Sequence, residues 1–400
     1  MNDATQHFIQ EHRMDDVRSL ALRGCKDEGV DMRYALEQID GWQRARHKLP
    51  LWAETEGLIY PPHISMEQCS SEATARYKAE HTLADDSSRA AVKTSQSFVD
   101  LTGGFGVDFS YMSRGFASAT YVERQTLLCE IARHNFQRLG MTNATVVCAS
   151  AEDYLRDMQP VDCLYLDPAR RDDNGRKTYA ITDCTPDVVT LLPLLRQKAR
   201  RIVLKLSPML DHREAVRQLA GVGEVHIVSV GNECKELLLV IDADGSAAEQ
   251  PPRLICVNDE NVFIAPWDDP APLPIADDIR PGMTLCVPNA SVMKGGCFGA
   301  LCRRFDVAAV GINSHLYVSK NADFIDKFPG RQFHVMAITG MGKRDLRTTL
   351  SGISCANIAV RNFPLSADAL RSKLKLLDGG DIYIFGTTVG REHRIIVCRK

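Results

Sequence analysis

The chain has 400 residues, 44% of them hydrophobic and 25% charged, which is ordinary globular composition with enough length for two to four domains. No apolar run approaches the roughly 20 residues of a membrane helix. The polar, acidic start MNDATQHFIQEHRMDD lacks a signal peptide's basic head and apolar stretch, so a cytoplasmic location is expected.

The net charge of −3 conceals an asymmetry. Residues 280–400 carry 18 Lys and Arg against 8 Asp and Glu, a balance of +10, and the rest of the chain balances at −13. A basic C-terminal part behind an acidic front suits a polyanionic partner. The 13 cysteines include no CxxC pair, and the nearest two, Cys297 and Cys302, have no histidine pair at zinc spacing. Reduced structural thiols and no metal are expected.

In chain order, residues 1–92 predict a helical region. Segments 31–44 (DMRYALEQIDGWQR) and 72–83 have near-helical apolar spacing, and the proline-punctuated stretch 49–64 between them reads as extended. Serine 70 or 71 with Glu72 reads as a helix start. From residue 97 the pattern changes to strands at 97–100, 119–123, 144–148, 163–166 and 201–206. Helices follow from about 108 and at 127–139, 151–157, 186–198 and 212–219. Such alternation predicts a parallel sheet covered on both faces. Strands 224–230 and 235–242 are only four residues apart, too close for a crossover, so they form an antiparallel hairpin. The α/β layout of five parallel strands plus an antiparallel terminal hairpin resembles the Rossmann-like class I methyltransferase sheet. A dinucleotide dehydrogenase would need another crossover there.

Residues 246–281 read as a linker with a hairpin at 253–257 and 261–265. Small α+β modules follow, with strands at 284–287, 333–338, 381–385 and 394–398 and a helix at 367–376.

Four loops carry the candidate chemistry. The loop 100–106 (DLTGGFG) lies between a strand and a helix, where glycines allow a sharp turn and close approach to a ligand. It fails as a dinucleotide loop, because Phe109 stands where GxGxxG needs its third glycine. It matches DxxGGxG, motif I of class I methyltransferases, which implies S-adenosylmethionine as cofactor and Asp100, Thr102, Gly103, Gly104 and Gly106 as residues that hold it. Glu123 ends the second strand, where a carboxylate can accept hydrogen bonds from a ribose diol. After the third strand come Ser150, Ala151, Glu152 and Asp153. Ser150, Ala151 and Glu152 are the candidates for the adenine contact, with Asp153 as a substitute for the usual aspartate or as a helix cap. After the fourth strand comes 167–171 (DPARR). Asp167 can take a proton or hydrogen bond from the nucleophile, near the cofactor's methyl end, and Arg170 or Arg171 can clamp a phosphate. This loop resembles the (D/N)PPY loop of amino-methylating enzymes but lacks the second proline and the aromatic. It also resembles the DPPR of uracil-C5 enzymes, but the fifth strand is followed by KLSP, without their cysteine. Lys205 there reads as a solvated charge, with a ribose 2′-O role as the alternative.

Together with 288–296 (PNASVMKGG) and 359–381 (AVRNFPLSADALRSKLKLLDGGD), these motifs resemble a bacterial methyltransferase family over nearly all of the chain. The resemblance implies a class I catalytic domain at 93–245, a ferredoxin-like segment at 282–325 and a THUMP-like domain at 326–400. It implies a methyltransferase acting on RNA, with tRNA as a candidate substrate, through the basic C-terminal modules. THUMP domains usually precede the catalytic domain, and this one follows it. A small-molecule or protein methyltransferase, or a non-catalytic binder of S-adenosylmethionine or RNA, are the alternative readings.

Overall fold

A computed structural model of the chain describes residues 2–25, 27–83, 96–170, 181–243, 250–269 and 271–400. It divides into two units, 1–225 with 235–250 and 226–234 with 251–400.

Six helices lead the first unit: α1 (Asp3–His12), α2 (Val17–Arg23), α3 (Met32–Lys48), α4 (Pro50–Glu54), α5 (His63–Gln68) and α6 (Glu72–His81). Asn2, Asp16, Asp31 and Ser71 each accept a hydrogen bond from the amide three residues on, the N-cap arrangement that starts α1, α2, α3 and α6. Segment 49–64 departs from its extended expectation. Pro50 takes the first turn of α4, where a missing N–H costs no hydrogen bond. Trp52 of α4 is fully buried and meets the ring of Phe105 edge-on at 4.8 Å, so the helical region packs onto the glycine loop.

The strands that follow are β1 (Ser97–Asp100), β2 (Ser118–Glu123), β3 (Ala144–Cys148), β4 (Val161–Leu166), the short pair β5 (Ala169–Arg170) and β6 (Cys184–Thr185), β7 (Ala199–Leu206), β8 (Val222–Val230) and β9 (Glu233–Asp242), with residues 226–234 of the last two belonging to the second unit. Strands β3, β2, β1, β4 and β7 lie side by side and parallel. β9 runs antiparallel against β7, with Leu204 opposite Leu239. Only Gly231 and Asn232 join β8 to β9, at φ of 57° and 64°. Two left-handed residues are what a tight two-residue hairpin requires, so the expected antiparallel pair is present with a turn shorter than four residues. Between the strands run α7 (Val107–Met112), α8 (Thr126–Arg138), α9 (Ala151–Asp157), α10 (Val188–Lys198) and α11 (His212–Gln218). Phe98, Phe109, Tyr121 and Phe136 fill the core beneath β1 and β2, each contributing about 1.5–3 kcal/mol by burial.

The second unit holds the expected hairpin, β10 (Arg253–Asn258) with β11 (Asn261–Pro266). It continues with β12 (Thr284–Pro288), α12 (Ala290–Gly295), α13 (Phe298–Phe305), β13 (Ala308–Ala309), β14 (Tyr317–Ser319), β15 (Gly330–Thr339), α14 (Lys343–Thr349), β16 (Asn357–Arg361), α15 (Ala367–Leu374), β17 (Ile382–Val389) and β18 (Glu392–Arg399). Seven of these strands form one sheet in the order β13-β14-β12-β15-β18-β17-β16, antiparallel except for β16 with β17. Phe333, Phe385 and Ile396 pack on one face, and Ile384, Ile395 and Val397 on the other, beneath Leu346 of α14 and Leu370 of α15. Burial on both faces explains why β17 and β18 read as nearly continuous apolar runs.

Candidate active site

In a parallel sheet, side chains at the carboxyl ends of the strands converge on one edge. The crevice opens where chain order reverses, here between β1 and β4. A cleft of 780 Å³ lies there, within the first unit, lined by the loop 100–106 together with Glu123, Ser150, Ala151, Glu152, Asp167 and Lys205, among others. The structure therefore brings all the predicted cofactor residues to one cleft. The side chain of Arg170 and all of Arg171 lie outside the described residues.

The three glycines of the loop do different jobs. A Cβ on Gly103 would come within 2.1 Å of the Tyr121 ring, and one on Gly106 within 2.8 Å of Phe136, so these two let the loop lie flat on the core. A Cβ on Gly104, at φ 54°, would meet only the Thr102 carbonyl oxygen, at 3.8 Å. The Gly104 N–H donates to Glu123 Oε2 at 3.0 Å, and Gln125 N–H donates to Glu123 Oε1 at 2.9 Å. Glu123 is thus held at the end of β2, and each of its oxygens keeps a second lone pair for a ligand.

Asp100 is 1% exposed. Its Oδ1 accepts the Thr102 N–H at 2.9 Å, and its Oδ2 is buried without a hydrogen-bond partner. Burial pushes this carboxyl well above the usual range, and the nearby carboxylates of Asp108, Asp167 and Glu123 push it further. Thr102 Oγ1 accepts the Asp167 N–H at 2.6 Å and so ties the loop to the end of β4.

Lys205 does not follow its expectation as a solvated charge. Its side chain is 12% exposed and its Nζ donates to Asp167 Oδ2, whose side chain is 35% exposed. Lys205 sits near the carboxyl end of β7, between β4 and β9, and lines the cleft. Burial alone would lower the lysine, yet Asp167, Glu236 and Asp108 hold it above its ordinary value. Burial raises Asp167, and Lys205 only partly offsets that rise.

Behind this pair lies a buried cluster that sequence reasoning missed. Lys78 of α6, fully buried, pairs with Glu236 of β9 at 2.5 Å and with Asp108 of α7 at 3.1 Å. Ser70 Oγ lies 2.8 Å from Asp108 Oδ2 and 3.0 Å from Glu236 Oε1, and Tyr165 donates to Asp108 at 2.7 Å. Burial would raise Asp108, but Lys78 and Lys205 overcome it and hold the carboxyl low. In the sequence the segment around residue 70 reads as a helix start, with a helix that covers the cofactor, as in related folds, as the alternative. Ser71 supplies that cap, while Ser70 turns inward.

At the third strand, Ser150 caps α9. It accepts the Asp153 N–H at 3.1 Å and donates to the Asp153 carboxylate at 2.7 Å. Asp153 is thus engaged with the cap, and Ala151 and Glu152 line the cleft with Ser150. The Ala151 N–H belongs to the first turn of α9, where no helical carbonyl reaches it.

No group of three or more metal-binding side chains occurs among the described residues, and no described helix is long and apolar enough to cross a membrane. Family models match two segments: a ferredoxin-like domain at 285–329 and a THUMP domain-like region at 330–400. No curated protein matches the chain. A solved structure from Porphyromonas gingivalis W83, described as a candidate methyltransferase, is 30% identical, spans 99% of this chain and 97% of its own, and superposes with a TM-score of 0.85. Two others are much more distant. A candidate methyltransferase from Escherichia coli is 17% identical over 37% of this chain and 77% of its own, with a TM-score of 0.28. One from Streptococcus mutans, solved in complex with SAH, is 12% identical over 42% and 95%, with a TM-score of 0.30.

Proposed function

The chain belongs to the family of the Porphyromonas gingivalis candidate methyltransferase, and from that premise we propose that it is an S-adenosylmethionine-dependent methyltransferase acting on RNA. The observation that carries the cofactor is the charge of the cleft wall. Five carboxylates, Asp100, Asp108, Glu123, Glu152 and Asp167, line it against three cations, Arg124, Lys205 and Lys235, and Asp100 keeps a buried oxygen unpartnered. Such a wall suits a ligand with a cationic amino acid end and a sulfonium. When bound, that group supplies an electrophilic methyl.

The chain's own residues supply the rest. Asp100 takes the ammonium end and Gly104 leaves room for the backbone to pass under the ligand. Glu123 accepts the ribose diol. Ala151 N–H and Glu152 meet the adenine, with Ser150 holding the turn. Asp167, beside Lys205, meets the acceptor. Pro168, Pro186 and Pro208 add apolar surface to the cleft lining.

RNA follows from the second unit. The THUMP domain-like match and the +10 balance of residues 280–400 support a polyanion there. Purified protein given labelled S-adenosylmethionine is expected to label total RNA, and mass spectrometry of nucleosides from a deletion strain is expected to lack one modification. If no RNA takes label and the nucleoside profile is unchanged, the RNA reading fails.

A further inference from the structure

Resting on that reading, we propose that the methyl acceptor is a hydroxyl oxygen, the ribose 2′-OH of an RNA nucleotide, held between the Asp167 carboxylate and the Lys205 ammonium. The two side chains come from the carboxyl ends of adjacent strands, β4 and β7, and share one cleft wall. Both are more than half buried and both open to the cleft.

The pair selects by charge. A protonated amine would be repelled by Lys205, and a carboxylate acceptor by Asp167. A neutral group that donates one hydrogen bond and accepts another fits both, and a hydroxyl does this with a single atom. Methylation at a pyrimidine C5 would call for a thiolate, and of the two cysteines lining the cleft Cys69 is pushed by burial up to about 11 and bonded to Met66 O, while Cys184 is 2% exposed. A nucleobase drawn into the pocket would call for a ring to stack on. Among the described lining residues the rings are Phe105 and Tyr165, 4% and 1% exposed and both engaged in packing. Within an RNA chain the hydroxyl is the 2′-OH, both donor and acceptor.

The buried cluster makes the pair work. Lys78 pairs with both Asp108 and Glu236 and offsets one of their two charges, and the remaining negative charge helps Asp167 to hold Lys205 protonated. In the step, the hydroxyl oxygen attacks the methyl carbon of the sulfonium donor. The carbon–sulfur bond breaks and its electron pair stays on sulfur, leaving a thioether. The hydroxyl proton passes to Asp167, while Lys205 holds the oxygen as negative charge develops on it.

The test begins with the product. RNA from a deletion strain, labelled by the wild-type protein, is digested with alkali. A 2′-O-methyl group blocks cleavage, so label is expected in alkali-resistant dinucleotides. Label in mononucleotides overturns this proposal and leaves the RNA methyltransferase reading standing. Absence of label from RNA overturns both. Lys205→Met and Asp167→Asn are each expected to lower kcat on RNA by about 100-fold or more, the scale of losing one group aimed at developing charge. Lys205→Met is expected to bind S-adenosylhomocysteine within about threefold of wild type, since the lysine serves the acceptor. The wild-type rate is expected to rise with pH as Asp167 ionises, and the Asp167→Asn profile to lose that rise. Turnover unchanged in both variants overturns the proposal.

Discussion

Asp100 shows at the scale of one residue what a buried, half-partnered carboxyl costs, and its proposed role in binding makes that cost testable. Its Oδ2 is buried without a partner, and burial raises the carboxyl well above its usual range. A raised carboxyl contributes stability that is fully present below its unfolded value, near 3.9, and is lost as pH rises through the folded value. Asp100→Asn removes the charged form altogether. At pH 8 the variant is therefore expected to melt no lower than wild type, while S-adenosylmethionine binding weakens at least about tenfold, one hydrogen-bonded charge being worth roughly 1.5–3 kcal/mol. A cation arriving beside Asp100 lowers its pKa again, so binding at a pH below the raised value is expected to release a proton. Calorimetry in buffers of different ionisation enthalpy reads that proton directly. An Asn variant that binds as wild type does, with the same proton release, removes Asp100 from the site. The neighbouring glycines behave differently. Gly103→Ala is expected to destabilise the protein by about 1–3 kcal/mol through its clash with Tyr121, measured by denaturant unfolding. The motif spelled a ligand loop, but nothing in its letters could show that Gly103 and Gly106 serve the packing and Gly104 the open side.

Among elements, what was legible depended on whether a pattern was local. Strand β3 and helix α9 fall where alternation and capping put them, because period-2 and period-3.6 spacing are properties of a few consecutive residues. That the loops at 100–106, 123, 150–152 and 167 line one cleft was legible for the same reason, since each follows a strand end. The brace behind them was not. Lys78, Asp108 and Glu236 come from α6, α7 and β9, far apart in sequence, and each alone reads as an ordinary charged surface residue. Only the fold brings them together. The brace yields a prediction for α6. Lys78→Met leaves Asp108 and Glu236 buried without their cation, so a loss of about 3–5 kcal/mol is expected by denaturant unfolding. Adding Glu236→Gln removes one of the two stranded charges, and the double variant is expected to recover part of the loss. A double variant no more stable than Lys78→Met would show that Glu236 is not what the lysine balances.

For the whole molecule, counting charges found the asymmetry of the chain but not which side chains present it. In the second unit, Lys343, Arg344 and Arg347 lie exposed on α14, and none makes an ion pair among the described residues. Arg303, Arg371 and Arg394 are instead engaged with Asp269, Asp378 and Glu392. If the second unit holds RNA by its phosphates, the unpaired residues are the ones to carry it, because a cation already paired with a carboxylate displaces fewer counterions. RNA binding by the full chain should then weaken steeply with salt. Each lost phosphate contact lowers the slope of log K against log salt by roughly one. Reversing all three residues of α14 to Glu is expected to flatten that slope by about two to three and to weaken binding at low salt, with S-adenosylmethionine binding unaffected. Helix α14 buries Leu346 on its other side, so the exposed face can be changed with the core intact. The same slope in wild type and triple variant, measured by fluorescence anisotropy from 50 to 300 mM salt or so, would move the RNA surface away from α14. A wild-type slope near zero would remove the polyanion reading from the second unit altogether.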